Sequence, residues 1–175
     1  MSLTEPEQNY YISTTTYATK IFTILFVVLF MLVLCNTKMI FNYLRRVYLG
    51  DTDAAGVVYF AKGLEICHQA YEESLAVAGI SLGQMLREKT IGLPIVRAEI
   101  DFMRPLFCGD ELQVNLTATL ISNNEFAIAY KICHTDNLDR VLVKAQTRHV
   151  CIDSQIRTRT DLPPIILKWL DNNQK

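Results

Sequence analysis

The stretch Val47-Tyr48-Leu49-Gly50-Asp51-Thr52-Asp53-Ala54-Ala55-Gly56-Val57-Val58-Tyr59-Phe60 decides how the chain is read. It holds the end of an apolar strand, a turn with two carboxylates, and the approach to a long helix. Asp51 and Asp53 are two residues apart, and small residues lie between and after them. Gly50 and Gly56 permit backbone angles and close approaches that other residues resist. A carboxylate on such a turn suits catalysis, as a nucleophile or as a base for water. It equally suits an Asx-turn or a helix N-cap, both common roles for Asp. The spacing alone leaves these roles open.

Upstream, residues 40–49 are rich in aromatic and β-branched side chains and predict a strand. Downstream, Leu64, Cys67, Tyr71, Leu75 and Ala78 recur at helical spacing. Lys62, Glu65, Gln69, Glu72 and Glu73 fall largely elsewhere on that wheel, so an amphipathic helix is expected from Phe60 to Ala78, stopped by Gly79. Ser81-Leu82-Gly83-Gln84 has capping-box form and predicts a second, shorter helix to about Lys89.

After Pro94 the apolar period becomes two. Val96, Ala98, Ile100 and Phe102 alternate with polar neighbours, as do Leu112, Val114, Leu116, Ala118 and Leu120, and then Phe126, Ile128, Tyr130 and Ile132. Val141 to Ile152 make a last strand. Turns are expected at Pro105 to Asp110, at Ser122 to Asn124 and over Thr135 to Arg140. Four strands joined by short turns predict an antiparallel meander. The result is an α+β fold, one long helix against a five-stranded antiparallel sheet. Such a sheet leaves edge strands, and a second subunit is one way to cover them. A homodimer or homotetramer is therefore expected.

The length of 175 residues suits one domain, and the hydrophobic half of the composition is enough for a core without staples. A formal net charge of −1 gives no electrostatic footprint for nucleic acid. Cys35, Cys67, Cys108, Cys133 and Cys151 are odd in number and widely spaced, with no Cys-x-x-Cys. That argues against a disulfide framework or a zinc ribbon and for reduced thiols in the cytoplasm.

The domain is expected over residues 39–155, with a C-terminal tail over 156–175 that is polar until Leu162-Pro163-Pro164-Ile165-Ile166-Leu167 and ends in charged and amide residues. Residues 1–38 are a separate problem. Ile21 to Cys35 is almost unbrokenly apolar but short of the roughly 20 residues a bilayer span needs. Two readings stand. One is a membrane anchor, with Lys38, Arg45 and Arg46 on its cytoplasmic side. The other is an extension that the working protein lacks, with the domain starting at Met39.

Other candidate groups are weaker. The helix starting near Phe60 would present free N–H groups and a positive dipole end. Glu65, close to that start, is a second candidate carboxylate. Cys67-His68, Cys133-His134 and His149-x-Cys151 suggest Cys–His chemistry, but neighbours on a helix or strand diverge and buried Cys usually packs inertly. Lys89, Arg97, Arg104 and Arg148 fit either ligand phosphates or ordinary surface charge. There is no Gly-rich phosphate loop, His-x-x-x-His pair or Gly-x-Ser-x-Gly in the chain.

The motif Tyr48-Leu49-Gly50-Asp51-Thr52-Asp53-Ala54-Ala55-Gly56-Val57-Val58-Tyr59-Phe60, with the helix and strands after it, resembles the hotdog-fold acyl-CoA thioesterases of the 4-hydroxybenzoyl-CoA thioesterase type. Cys67-His68-Gln69-Ala70-Tyr71-Glu72, Leu93-Pro94-Ile95-Val96, Ile100-Asp101-Phe102, Cys108-Gly109-Asp110 and Ala145 to Ile152 are most similar to the cyanobacterial branch acting on 1,4-dihydroxy-2-naphthoyl-CoA in phylloquinone biosynthesis. The resemblance covers about residues 40–152. It implies that Asp53 is the catalytic carboxylate and that the backbone N–H of Phe60 faces the thioester oxygen. It also implies a site at a subunit interface, an aromatic acyl-CoA substrate, and no metal or organic cofactor. Family members often carry Gly or Pro after the catalytic Asp, where this chain has Ala54. Two rival expectations are a general or short-chain acyl-CoA thioesterase, and a non-catalytic acyl-binding, membrane-associated protein.

Overall fold

The computed structural model describes residues 41–174. The expected extension over residues 1–38, with its apolar segment 21–35, lies outside them. Among the described residues no helix is long and apolar enough to cross a membrane.

Strand β1 (Asn42–Arg46) is followed by a 3-10 turn at Leu49–Asp51. The strand expected over 40–49 therefore ends early, because Asp51 pulls the chain into a turn by accepting from the Tyr48 N–H at 2.9 Å. Helix α1 spans Phe60–Val77 and buries Gly63, Ile66, Cys67, Ala70, Tyr71, Ser74 and Leu75. Its stripe is wider than the predicted row, and Ala78 lies outside the helix and is exposed. The C-terminus closes with Gly79 N–H donating to the Ala76 carbonyl and Ile80 N–H to that of Leu75, both at 2.9 Å. This places Ile80 in the core.

Helix α2 (Leu82–Glu88) begins as predicted, with the Ser81 hydroxyl accepting from the Gln84 N–H at 3.2 Å. The reciprocal half of the capping box is not made, because the Gln84 amide donates to Glu88 instead.

The sheet strands are β3 (Ile95–Phe102), β4 (Glu111–Ser122), β5 (Glu125–His134) and β6 (Asn137–Val150). The turn expected over 135–140 shrinks to Thr135-Asp136. Short β2 (Ile91–Gly92) and β7 (Ile152–Asp153) pair separately. The five-stranded antiparallel sheet runs in the order β1-β4-β5-β6-β3. Only β4, β5 and β6 form a meander. The expected four-strand meander fails at β3, which pairs with β6 at the far edge. The connection over residues 103–110 is long enough to cross the sheet, since eight extended residues reach roughly 26 Å. It crosses at the N-terminal end of α1, where Val58 N–H donates to the Leu106 carbonyl at 2.9 Å and Val57 bridges Phe107.

Gly63 lets α1 approach β3 closely. A Cβ there would lie 2.7 Å from Ile100 Cδ1 and 3.0 Å from the Phe102 ring.

The tail expected over 156–175 contains a further helix, α3 (Pro164–Asn173), with Ile166, Trp169 and Leu170 in the core. β1 pairs only with Glu111–Asn115 of β4. Among the described residues the later half of β4 thus has a strand neighbour only on its β5 side, and its apolar Leu116 and Ala118 are buried in one cluster with α3 side chains. Ile166, Trp169 and Leu170 follow helical spacing, but Pro163-Pro164 and the polar flanks mask it.

Candidate active site

The loop after β1 treats its two carboxylates differently. Asp51 is buried, and both its oxygens accept from Arg45 Nη2 at 2.8 Å. Its backbone carbonyl accepts from Tyr59 N–H at 2.9 Å, tying the turn to the start of α1. Asp51 is thus bound within the fold. Arg45, an inward side chain of β1, figures in the sequence only as a positive charge beside the apolar segment, and nothing in a strand pattern announces such a clamp.

Asp53 sits at the tip of a small hairpin closed by the Thr52–Val58 bridge and by Asp53 N–H donating to Val57 O at 2.9 Å. Gly56 N–H returns to Asp53 O at 3.0 Å, and Gly56 takes φ +78°, a conformation that favours glycine. Gly50 needs no such freedom. The Asp53 side chain is exposed, and one oxygen accepts from Ala55 N–H at 2.8 Å. That is an Asx-turn, so the bland role is realised. The second carboxylate oxygen has no partner among the described residues, and the side chain lines a cleft.

This cleft, about 440 Å³, is bounded by Asp53, by Val57 to Phe60, and by Phe102 to Leu106. Its walls are mostly apolar. The Tyr59 and Phe60 rings lie tilted to each other at 4.6 Å between centroids, and Phe60, Phe102 and Met103 are all exposed. Tyr59 occupies the N-cap position of α1 with no side-chain cap. The Phe60 N–H finds no acceptor among the described residues, so it remains a free donor at the positive end of an 18-residue helix. The sequence reading located Asp53 and Phe60 but missed Phe102, Met103 and Pro105. Pro105 was legible only as a break, because a crossover that carries cleft walls looks like any other loop.

The remaining candidates disperse. Glu65 is exposed, pairs with Lys62 at 2.7 Å, and does not line the cleft. Glu72 and Glu73 line a separate groove with Tyr43 and Gln69, and Glu72 faces His68 at 3.1 Å. Cys67 is wholly buried, and burial pushes its thiol up to about 12. Burial likewise raises Cys133 and Cys151. His134 lies 3.8 Å from Asp110. His149 is buried, its ring stacked 4.8 Å from Phe126, and burial lowers it to about 4. No Cys–His dyad forms among these pairs. Arg97 pairs with Glu99, and Arg148 with Glu125. Lys89 closes α2 with φ +50°. Of the four cations considered for phosphates, only Arg104 lines the cleft.

A long helix held by a five-stranded antiparallel sheet, with a carboxylate loop and a crossover meeting at its N-terminus, defines the hotdog class of thioesterases. The model of the thioesterase-like superfamily matches residues 47–170, and the chain belongs to that superfamily. It is 52% identical to a 1,4-dihydroxy-2-naphthoyl-CoA hydrolase of Crocosphaera subtropica, over 76% of this chain and 97% of that protein. It is 50% identical to a hydrolase of the same name from Microcystis aeruginosa, over 73% and 91% of the two chains. Among solved structures, a 1,4-dihydroxy-2-naphthoyl-CoA thioesterase from Synechocystis matches with a TM-score of 0.72 at 42% identity, over 76% of this chain and 96% of that one. These matches carry the expected fold and enzyme class beyond resemblance of motifs.

Proposed function

We propose that the chain hydrolyses 1,4-dihydroxy-2-naphthoyl-CoA to 1,4-dihydroxy-2-naphthoate and CoA, with Asp53 as the catalytic carboxylate. The shared cleft carries this reading: Asp53, the uncapped start of α1 and an apolar wall face one space. The similarity to hydrolases of that name, from 52% to 43% identity, supports the acyl group. On this reading the product is the naphthoate of phylloquinone biosynthesis.

The substrate's ring lies against the apolar wall, and its thioester oxygen points at the Phe60 N–H. As the carbonyl carbon becomes tetrahedral, negative charge grows on that oxygen, where the donor and the helix end stabilise it. Asp53 acts by one of two routes. As a nucleophile it bonds to the carbonyl carbon, the C–S bond breaks, and the CoA thiolate takes a proton from water. A second water then hydrolyses the mixed anhydride and restores the carboxylate. As a base, Asp53 takes a proton from water while that water's oxygen bonds to the carbon, and the proton passes to the departing sulfur. A thiol of pKa about 8.5 leaves without a strong acid beside it.

Asp53→Asn removes the charge and keeps the shape. Turnover of the naphthoyl thioester should fall by about 10²- to 10⁴-fold. Retained turnover would remove Asp53 from the mechanism. Better kcat/KM on aliphatic acyl-CoAs than on the naphthoyl one would instead favour a general acyl-CoA thioesterase.

The working unit on this reading is a homodimer. Among the described residues β3 is paired on one side only, and Ile95, Val96, Phe102 and Met103 are exposed although its strand partner is in place. Phe102 and Met103 also line the cleft, so a second chain against β3 would help to close it. Sedimentation equilibrium showing a monomer at working concentration would refute this. The free thiols of Cys67, Cys108, Cys133 and Cys151 support a reducing compartment, the cytoplasm.

A further inference from the structure

The cleft has two charged residues in its lining, Asp53 and Arg104, and they do not pair with each other. Arg104 makes no ion pair with any carboxylate among the described residues. Its neighbours in the lining are Phe102, Met103, Pro105 and Leu106. The backbone beneath it is fixed, since the N–H groups of Met103 and Arg104 both donate to Leu142 O, at 2.9 and 3.1 Å. Arg104 is thus an exposed arginine in the lining of an apolar cleft, on a pinned strand end, with no carboxylate partner among the described residues. Its fork of donors suits an oxygen bearing full or partial negative charge.

We propose that Arg104 determines acyl-group specificity by binding a ring oxygen on the side of the acyl group away from the thioester. This rests on the thioesterase reading of the same cleft. Two opposed charges left unpaired across an apolar space suit a ligand that is apolar in the middle and polar at both ends. A dihydroxynaphthoyl thioester has that form. Its carbonyl carbon meets the carboxylate, its fused rings meet Phe60, Phe102 and Met103, and the 4-hydroxyl lies across the ring. Arg104 donates to that oxygen. The phosphates of CoA are a second source of anionic oxygen, but the pantetheine arm holds them far from the sulfur. Arg104 shares its cleft with the residue that must reach the carbonyl carbon.

The test compares wild type with Arg104→Met and Arg104→Lys on three thioesters. These are 1,4-dihydroxy-2-naphthoyl-CoA, 1-hydroxy-2-naphthoyl-CoA, which lacks the 4-hydroxyl, and the pantetheine thioester of the dihydroxy acid, which lacks the phosphates. Arg104→Met should lower the preference for the dihydroxy over the monohydroxy CoA thioester by about 10- to 100-fold in kcat/KM, mostly through KM. The loss should persist on the pantetheine thioester, and Arg104→Lys should recover part of it. An equal loss on both CoA thioesters that vanishes on the pantetheine thioester would assign Arg104 to phosphate and overturn the proposal. An unchanged preference ratio in Arg104→Met would overturn it as well. Wild-type hydrolysis lost in Asp53→Asn is measured alongside. If that variant keeps its turnover, the thioesterase assignment of Asp53 fails on its own, whatever Arg104 does.

Discussion

Phe60, at the start of α1, is 64% exposed, with its N–H free and its ring against a cleft. About three turns further along, Tyr71 is 2% exposed among Phe126, His149 and Trp169, with ring centroids 4.8 to 6.5 Å away. One helix thus has an open end and a closed one. At the open end, polar groups are left without protein partners where a substrate can meet them. At the closed end Tyr71 Oη and Trp169 Nε1 are buried without a partner among the described residues, but His149, Thr147 and Tyr130 form a chain. The His149 Nδ1–H donates to Leu93 O at 3.4 Å, which leaves Nε2 to accept from the Thr147 hydroxyl at 2.9 Å. Thr147 in turn accepts from Tyr130 at 3.2 Å. That direction requires a neutral imidazole. Groups open to a substrate thus lie at one end of the helix, and groups packed into the fold lie toward the other.

The largest effect is expected where the two kinds of group are two residues apart. Asp53→Asn should lose turnover by about 10²- to 10⁴-fold and keep its melting temperature, because the exposed carboxylate makes one Asx-turn bond that an amide oxygen can also accept. Asp51→Asn should do the reverse. It leaves the Arg45 guanidinium nearly buried without its countercharge, at a cost of about 3 to 5 kcal/mol. Folded Asp51→Asn protein should keep much of its turnover. Denaturation curves and kcat/KM on both variants check this, and a shared phenotype would show that the pair works as one unit.

The sequence separates these carboxylates poorly, because Asp51 and Asp53 differ only in what their neighbours in space do. Arg45 and Tyr48 bind one; a cleft wall from residues 102–106 faces the other. What could be read locally was read well. α1, the Ser81 cap and the strand alternations all follow from periods and caps set by adjacent residues. Strand order could not be read this way. β3 has the same alternation at the sheet edge as it would have beside β4. Its position depends on the crossover at Leu106, and that crossover also builds half of the cleft. α3 escaped notice because its three buried side chains make sense only where β1 stops short of the later half of β4.

A smaller effect is expected at the closed end, and it depends on pH. Burial lowers the His149 imidazole to about 4, from an ordinary 6.5. Between those values the unfolded chain binds a proton that the folded chain refuses. The stability present above about pH 6.5 is therefore lost as pH falls, by up to about 3 kcal/mol, and the loss levels off below about pH 4. The groups facing the ring are Tyr71, Phe126, Thr147 and the Leu93 carbonyl; burial lowers its pKa most, the Leu93 hydrogen bond opposes that, and His68 lowers it further. Urea midpoints at pH 7.5 and 5 should drop further in wild type than in His149→Gln. Parallel drops would mean that other groups set the acid limit and that the closed end does not titrate.

Gly63 joins the two ends, since it lies one turn inside Phe60 on the buried face of α1. Gly63→Ala has opposing terms. Alanine is favoured over glycine in a helix interior by about 1 kcal/mol, and overpacking a core costs about 1 to 3. The added Cβ would lie 2.7 Å from Ile100 Cδ1, the free end of a side chain on an edge strand, which can turn away at low cost. The Phe102 ring, at 3.0 to 3.1 Å, has to move as a plate. The net stability change should be within about 1 kcal/mol of zero. The displaced Phe102 is a cleft wall, so KM for the naphthoyl thioester should rise by about tenfold or less, with kcat nearly unchanged because Asp53 is untouched. Thermal denaturation and initial rates separate the outcomes. A loss of several kcal/mol with an unchanged KM would place Phe102 with the closed end of the helix and leave Phe60 and Met103 to hold the ring.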